Sequence, residues 1–294
     1  MKPLIDILKK NFPTSSNRTF KTWLEQKRVR IDGKKAVNLH EDVLPNQQVI
    51  LTQRPPKKLK DLVILYEDDD LIVVEKPSGL LSVASNTNTY CAHSILKKMF
   101  GKTRVHIIHR LDQFTSGVMA FALNQKSKEA LKQQFFEKSA KRLYAAVLEG
   151  KLKKHGMWKT RLFESKDTKM HVTKATGGRI QLAITYFNTI ETGPKFSFVA
   201  FELKTGKKNQ IRVQAAANHT PIVGDKKYGT HSDPLKRLGL HALELQLTHP
   251  STHKKMFFHS KMPPIFFKPF KNRSRIQTFL KTFEQKKPQQ VLKF

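Results

Sequence analysis

Acidic side chains are scarce in this chain: 23 Asp and Glu stand against 55 Lys and Arg, a formal net charge of +32 over 294 residues. That imbalance favours a polyanionic partner, drawn in by long-range attraction and released steeply as salt rises. There is one cysteine, Cys91, so intrachain disulfides and cysteine-cluster zinc sites are excluded, and Cys91 reads as a small core filler. No apolar run approaches the roughly 20 residues of a membrane span. The cations are spread along the chain instead of lining one amphipathic helix, so the expected partner is nucleic acid and not a membrane surface. Met1-Lys2-Pro3-Leu4-Ile5-Asp6 opens without a long apolar stretch or a small-residue cleavage site, which makes the cytoplasm the expected compartment. P-loop and GxGxxG turns are missing as well. His106 and His109 are three apart, and His249 and His253 four apart with Pro250 between them, but neither pair has cysteine or acid at ligand spacing. No cofactor and no metal are expected, and a monomer is the expected form.

What is present suits a folded protein of one large and one small domain. Hydrophobic residues make up 38% of the chain, enough to bury a core. Leu4, Ile5, Leu8 and Phe12 recur at helical spacing and Pro13 ends that helix. Thr14-Ser15-Ser16-Asn17 offers N-caps for a second helix with Phe20, Trp23 and Leu24 on its apolar face. Val29-Arg30-Ile31 alternates like a strand, Asp32-Gly33 predicts a tight hairpin turn, and Gln48-Val49-Ile50-Leu51 closes the unit with another strand. Arg54-Pro55-Pro56-Lys57-Lys58-Leu59-Lys60 reads as a stiff linker. The larger unit opens with a strand, Leu62-Val63-Ile64-Leu65-Tyr66. A helix is predicted over residues 127–142, a strand over 198–203, and a helix through Ile276, Phe279, Leu280 and Phe283, followed by a frayed tail from 285 to 294. The division is a module at 1–53, a linker at 54–61, a large domain at 62–270, and a C-terminal helix and tail at 271–294. Strands mixed with scattered helices predict an α+β fold.

The most informative residues are His109-Arg110-Leu111-Asp112-Gln113-Phe114-Thr115-Ser116-Gly117. One carboxylate sits between a basic dipeptide and a short polar turn, just before the apolar run Val118-Met119-Ala120-Phe121-Ala122-Leu123, so Asp112 belongs on a loop where a strand begins. A carboxylate kept ionised by neighbouring cations suits a nucleophile or a base. Spacing alone does not exclude a plain surface ion pair.

This nonapeptide resembles the HRLDxxTSG signature of the RluA-like family of RNA pseudouridine synthases. Further blocks resemble the family in the same order: residues 66–79 ending in Lys76-Pro77-Ser78-Gly79; Arg142-Leu143-Tyr144-Ala145-Ala146-Val147-Leu148-Glu149-Gly150; Thr205-Gly206-Lys207-Lys208-Asn209-Gln210-Ile211-Arg212-Val213 with Pro221-Ile222-Val223-Gly224-Asp225 and Tyr228-Gly229; then Leu240-His241-Ala242 and His249-Pro250. The resemblance runs from about residue 60 to about 265. It implies a pseudouridine-synthase fold with a mixed, mostly antiparallel sheet. The order of elements in the first 53 residues resembles the alpha-L RNA-binding fold of a ribosomal small-subunit protein, which puts Arg18, Lys21, Lys27, Arg28 and Arg30 where they would meet phosphates.

By resemblance, Asp112 is the catalytic carboxylate, acting by covalent attack or by removing a sugar proton. Arg212 lies against it, and a guanidinium can fork onto a carboxylate. Tyr144 stacks beside the target base and is suited to help remove a proton from the carbon that forms the new bond. His109, Arg110, Lys204, Lys207 and Lys208 are candidates for holding RNA around an extruded uridine, with a bracing role as the alternative for His109. Lys76-Pro77-Ser78-Gly79 reads as an architectural turn. Family members usually carry Arg and His where this chain has Lys207 and Asn209, often His in place of Gln214, and commonly a His near Leu81-Ser82-Val83-Ala84. Those departures bear on which RNA fits. Large-subunit ribosomal RNA is the expected substrate, with tRNA or a catalytically idle RNA-binding or ribosome-assembly role as the alternatives.

Overall fold

The computed structural model describes the chain except for residues 14, 53–56, 59–61, 86–87, 102–103, 230–231, 285–289 and 293–294. Contacts divide it into two compact units, Met1–Lys57 with Lys287–Phe294, and Lys58–Lys286.

The smaller unit follows its sequence closely. Helices form at Leu4–Asn11 and Asn17–Glu25. The Ser16 hydroxyl caps the second by accepting from the Thr19 N–H at 3.2 Å, satisfying one of the free donors of the first turn. Val29–Ile31 and Lys34–Lys35 pair antiparallel. Asp32 (φ 47°) and Gly33 (φ 77°) connect them, both in the left-handed region that a two-residue hairpin turn demands. Leu4, Leu8, Phe20, Val29, Val43 and Val49 fill the core. The expected frayed tail differs. Gln290–Leu292 pairs antiparallel with Val49–Leu51, covering a strand whose backbone groups would otherwise form an open edge. Apart from Lys57 and Lys58, the expected linker lies outside the described residues.

The larger unit is built on a mixed sheet. Its strands run in the order Met170–Thr173, His155–Glu164, Gln181–Thr192, Phe196–Leu203, Lys141–Glu149, Leu240–Thr248, Ser116–Ala122, Leu71–Lys76 and Val63–Glu67. Among these neighbours only Ser116–Ala122 and Leu240–Thr248 run parallel; the others are antiparallel. Ser116–Ala122 is buried along its whole length, and period two explains how. Met119 and Phe121 enter one core with Ile72, Val74, Tyr144 and Ala146, while Val118, Ala120 and Ala122 enter another with Leu71 and Val73. The first of these cores also takes Leu111 and Ile211, so the Asp112 loop and the Arg212 helix meet on one face of the sheet. The helix predicted to reach residue 142 spans Gln125–Phe136. Lys138 then turns left-handed (φ 63°), and Lys141 already belongs to a strand. Among the described residues no helix is long and apolar enough to cross a membrane.

Candidate active site

The loop bearing Asp112 is gripped by its backbone on both sides. Before it, the Ser82 hydroxyl donates to the Leu111 carbonyl at 2.7 Å and accepts from the Leu111 N–H at 3.1 Å. After it, the Gly79 N–H donates to the Gln113 carbonyl at 3.0 Å, and the Ser78 hydroxyl donates to the Phe114 carbonyl at 2.8 Å. The fully buried Lys76 ammonium donates to the carbonyls of Pro77 (2.9 Å), Leu80 (2.7 Å) and Gln113 (2.9 Å). Burial pulls its pKa down to about 7, with the Asp112 carboxylate opposing the fall and Arg237 adding to it. The Lys76-Pro77-Ser78-Gly79 turn is therefore a clamp on the neighbouring loop. The motif's glycine has its own reason: at Gly117 (φ +117°) a Cβ would stand 2.1 Å from the Ala242 carbonyl oxygen, so no other residue lets the parallel strands approach there.

Arg212 lies on the helix Gln210–Ala217, whose residues from Gln210 to Ala215 are all buried. Its polar members are paired. Gln210 donates to Ile184 O and Thr185 Oγ1, and Gln214 accepts from Thr185 Oγ1 at 2.6 Å and donates to Thr160 Oγ1 at 2.9 Å. Such a satisfied network fixes the helix in one register. Arg212 donates through Nε and Nη2 to the two oxygens of Asp225, each at 2.8 Å. Its Nη1 lies 3.5 Å from Asp112 Oδ2. The carboxylate that receives the fork is thus Asp225, and Asp112 takes the remaining nitrogen. Burial works against the charge of Arg212, but the bonds and field of Asp225, helped by Asp112, overcome it and raise its pKa. The Tyr228 ring lies 5.2 Å from the guanidinium, and its hydroxyl donates to Asn209 Oδ1 at 3.1 Å. Asn209 starts the helix at φ 51°, a left-handed value that Asn tolerates better than most residues.

Tyr144, on Lys141–Glu149, completes the group. Arg110, Asp112, Arg142, Tyr144, Lys207 and Arg212 all line one cleft of about 170 Å³. Burial raises the Tyr144 pKa, with Arg142 opposing the rise and Asp112 adding to it, so the phenol is neutral at pH 7. Its hydroxyl has no hydrogen-bond partner among the described residues.

The other expected site residues divide. Lys208 also lines the cleft and is ion-paired with Glu164. Lys204 is exposed and does not line the cleft. For His109 the contacts match the bracing alternative and not an RNA contact. Its Nε2 accepts from the Ala120 N–H at 3.0 Å and its ring stacks on Phe135 at 4.8 Å. Burial and then Arg142 lower its pKa to about 3, so it is a neutral brace. In the smaller unit Arg18 and Lys21 are exposed, whereas Arg28 donates to Thr52 O at 3.0 Å and Arg30 to Gly33 O at 2.8 Å. Three contributors escaped sequence reasoning: Asp225, Lys76 as a clamp on the loop, and Arg142. Asp225 and Arg142 stand inside the family-like blocks, but no spacing rule ties either to Asp112.

Asp68, Asp70 and His249 also converge, with ligand atoms within 4.8 Å of one another. Asp68 accepts from Tyr66 Oη, His249 Nε2 and the N–H groups of Asp70 and Leu71, which is a hydrogen-bonded brace between the turn after Val63–Glu67 and the end of Leu240–Thr248.

The family model described as RNA pseudouridylate synthase matches residues 70–217. The uncharacterized RNA pseudouridine synthase YlyB of Bacillus subtilis is 31% identical over 257 residues, covering 82% of this chain and 84% of that protein. Ribosomal large subunit pseudouridine synthase D of Neisseria meningitidis serogroup B is 29% identical over 283 residues, covering 87% of this chain and 75% of that protein. The solved structure of human RNA pseudouridylate synthase domain containing 4 shares the fold, with a TM-score of 0.58 at 24% identity over 73% of this chain and 92% of that one. The matched span takes in the Asp112 loop, the Tyr144 strand and the Arg212 helix, and the chain belongs to the RluA-like family of RNA pseudouridine synthases.

Proposed function

We propose that this enzyme isomerises uridine to pseudouridine in large-subunit ribosomal RNA, with Asp112 as the catalytic carboxylate, Arg212 as its orienting cation and Tyr144 against the target base. The observation that carries the residue roles is that the three side chains line one cleft, with Arg212 Nη1 3.5 Å from Asp112 Oδ2. The choice of RNA rests on the name of the Neisseria relative.

A uracil stacked in RNA exposes neither its sugar bond nor C5 to a side chain, so it must leave the stack. The bond from ribose C1′ to N1 then breaks, the base turns, C1′ bonds to C5, and the C5 proton is lost as N1 gains one. Asp112 begins this as a carboxylate, whether by covalent attack or by taking a sugar proton. Arg212 cannot take its proton, because a guanidinium keeps its own. A neutral Tyr144 can accept the C5 proton only as it passes its own on, while its ring holds the plane of the base. Arg110, Lys207 and Lys208 hold the distorted backbone. The smaller unit acts as an alpha-L type RNA-binding module through Arg18 and Lys21.

The test is a pseudouridine map of deproteinised large-subunit ribosomal RNA and tRNA transcripts incubated with wild type or Asp112→Asn. New sites in ribosomal RNA with wild type alone are expected. Sites confined to tRNA would overturn the substrate, and turnover by Asp112→Asn would overturn the carboxylate. Replacing Arg18 and Lys21 by Ala should flatten the salt dependence of RNA binding.

A further inference from the structure

We propose that Arg142 forms an anion site in the wall of the cleft and takes a backbone phosphate of the RNA, an inference that rests on the RNA substrate argued above. Arg142 lies two residues before Tyr144 and lines the same cleft. Its guanidinium carbon lies 5.4 Å from the centroid of the Phe135 ring, a cation–π contact that holds it there. Among the described residues no carboxylate pairs with it and no hydrogen bond uses it, although its Nε is buried away from solvent. Glu202 and Glu244 border a neighbouring depression that Arg142 also touches, but neither pairs with it. A partly buried cation without a partner costs free energy that only an incoming anion can offset.

The fold keeps room for this side chain. A Cβ on Gly206 would stand 2.2 Å from Arg142 Nη1, so the Thr205-Gly206-Lys207 turn admits the guanidinium because it carries glycine there. The other groups at hand exclude a partner from within. Arg110, Lys207 and Lys208 on the cleft wall are cations, and Asp112 lies beside Arg212. The charged groups of RNA are its phosphates, and extruding a uridine brings the phosphates beside it to the cleft. A uracil carbonyl could also accept from Arg142, but it would leave the charge uncompensated.

Two variants separate charge from position. Arg142→Met keeps an unbranched stem and removes the cation; Gly206→Ala keeps the cation and displaces it. Binding of the full-length protein to a large-subunit ribosomal RNA transcript is measured across a salt series, alongside single-turnover rates. Arg142→Met should weaken binding by about 10-fold at low salt and reduce the slope of log K against log salt by about 0.7–0.9, one phosphate's worth. Gly206→Ala should reproduce much of the loss, and Arg142→Lys should recover the slope. An unchanged slope in Arg142→Met overturns the proposal, since a carbonyl contact moves affinity without moving the slope. Should Arg142→Met fail to fold, wild type is tested on RNA with a neutral methylphosphonate linkage placed in turn on each side of a mapped target uridine. Loss of binding at one linkage supports the site, and no loss at either refutes it. Slopes are read without turnover, so an absence of pseudouridine with wild type would count against the functional reading separately.

Discussion

Asp225→Asn tests whether the grip on Arg212, and not merely its presence, makes the site work. Asp225 Oδ1 accepts from Arg212 Nη2 at 2.8 Å and from the N–H groups of Lys227 and Tyr228 at 3.1 and 3.2 Å, while Oδ2 accepts from Arg212 Nε at 2.8 Å. An asparagine keeps most of these bonds by placing its oxygen at the Oδ1 position. Its NH₂ then faces Arg212 Nε, donor against donor. One charge-assisted bond is lost, about 1.5–3 kcal/mol. The buried guanidinium also loses its closest carboxylate, and breaking such a pair from one side costs about 3–5 kcal/mol in all. Among the described residues the remaining carboxylate within ion-pair reach of Arg212 is Asp112, 3.5 Å from Nη1, so the guanidinium should swing toward it and occupy the oxygen that the proposed mechanism offers to the substrate. A displacement of about 1 Å at a reacting group costs about 100-fold in rate. Urea unfolding should therefore show a stability loss of about 3–5 kcal/mol, and single-turnover pseudouridine formation at saturating RNA should fall by about two orders of magnitude. A variant within about 1 kcal/mol of wild type in stability and with an unchanged single-turnover rate would refute the reasoning, because Arg212 would then need no second carboxylate.

Tyr144→Phe keeps the ring and removes the hydroxyl, so RNA affinity should hold while the single-turnover rate falls by about 10²–10⁴; a wild-type rate would remove the hydroxyl from the chemistry. Gly117→Ala must push the paired strands apart to relieve a Cβ only 2.1 Å from the Ala242 carbonyl oxygen and should cost about 2–4 kcal/mol in urea unfolding, against no measurable change if the strands can shift freely. Lys76 gives a pH dependence of definite sign. Its pKa is lowered to about 7 by burial, with Asp112 opposing and Arg237 adding, while an unfolded lysine titrates near ~10.4. Between these values the unfolded chain binds the extra proton, so this group makes the protein more stable as pH rises through that window, by up to about 1.4 kcal/mol per unit. Below pH 7 both states are protonated and the contribution is flat. The stability gap between wild type and Lys76→Met should therefore widen in favour of wild type from pH 7 to 10, and a constant gap would show that Lys76 titrates alike in both states.

Asp112, Tyr144 and Arg212 can be grouped from the sequence because each sits in a block that resembles the family, and the three do line one cleft; the small unit is legible because its helices, cap and Asp32-Gly33 turn are local. What was not legible depends on distant segments of the chain. Nothing in Pro221-Ile222-Val223-Gly224-Asp225 announces that its carboxylate will meet Arg212 across a turn and take both of the nitrogens expected to face Asp112. For His109 the sequence leaves bracing and RNA contact both open, since a half-buried imidazole can satisfy a strand N–H as readily as it can meet a phosphate, and only the packing against Ala120 and Phe135 chooses between them. The end of the chain, polar and basic, reads as a tail until Val49–Leu51 offers residues 290–292 a partner. The helix predicted to reach residue 142 overran because Leu131 and Phe135 set its period, whereas its end is set by a left-handed Lys138 that has no glycine to signal it.

The charge distribution joins RNA capture to the chemistry. Among the described residues, five cations, Arg110, Arg142, Lys207, Lys208 and Arg212, line the cleft with a single carboxylate, Asp112. In a neutral protein such a cluster would repel itself, and here the surplus of +32 deepens that cost instead of relieving it. Only some of it is answered internally: Asp225 takes Arg212 and Glu164 takes Lys208. The uncompensated remainder supplies the attraction that the proposed RNA substrate would answer. Because Lys76, Gly79, Ser78 and Ser82 hold the Asp112 loop through its backbone, the carboxylate's side chain is left, among the described residues, uncommitted except to Arg212. A site braced by side-chain bonds to Asp112 itself would have spent the oxygens that the proposed reaction needs.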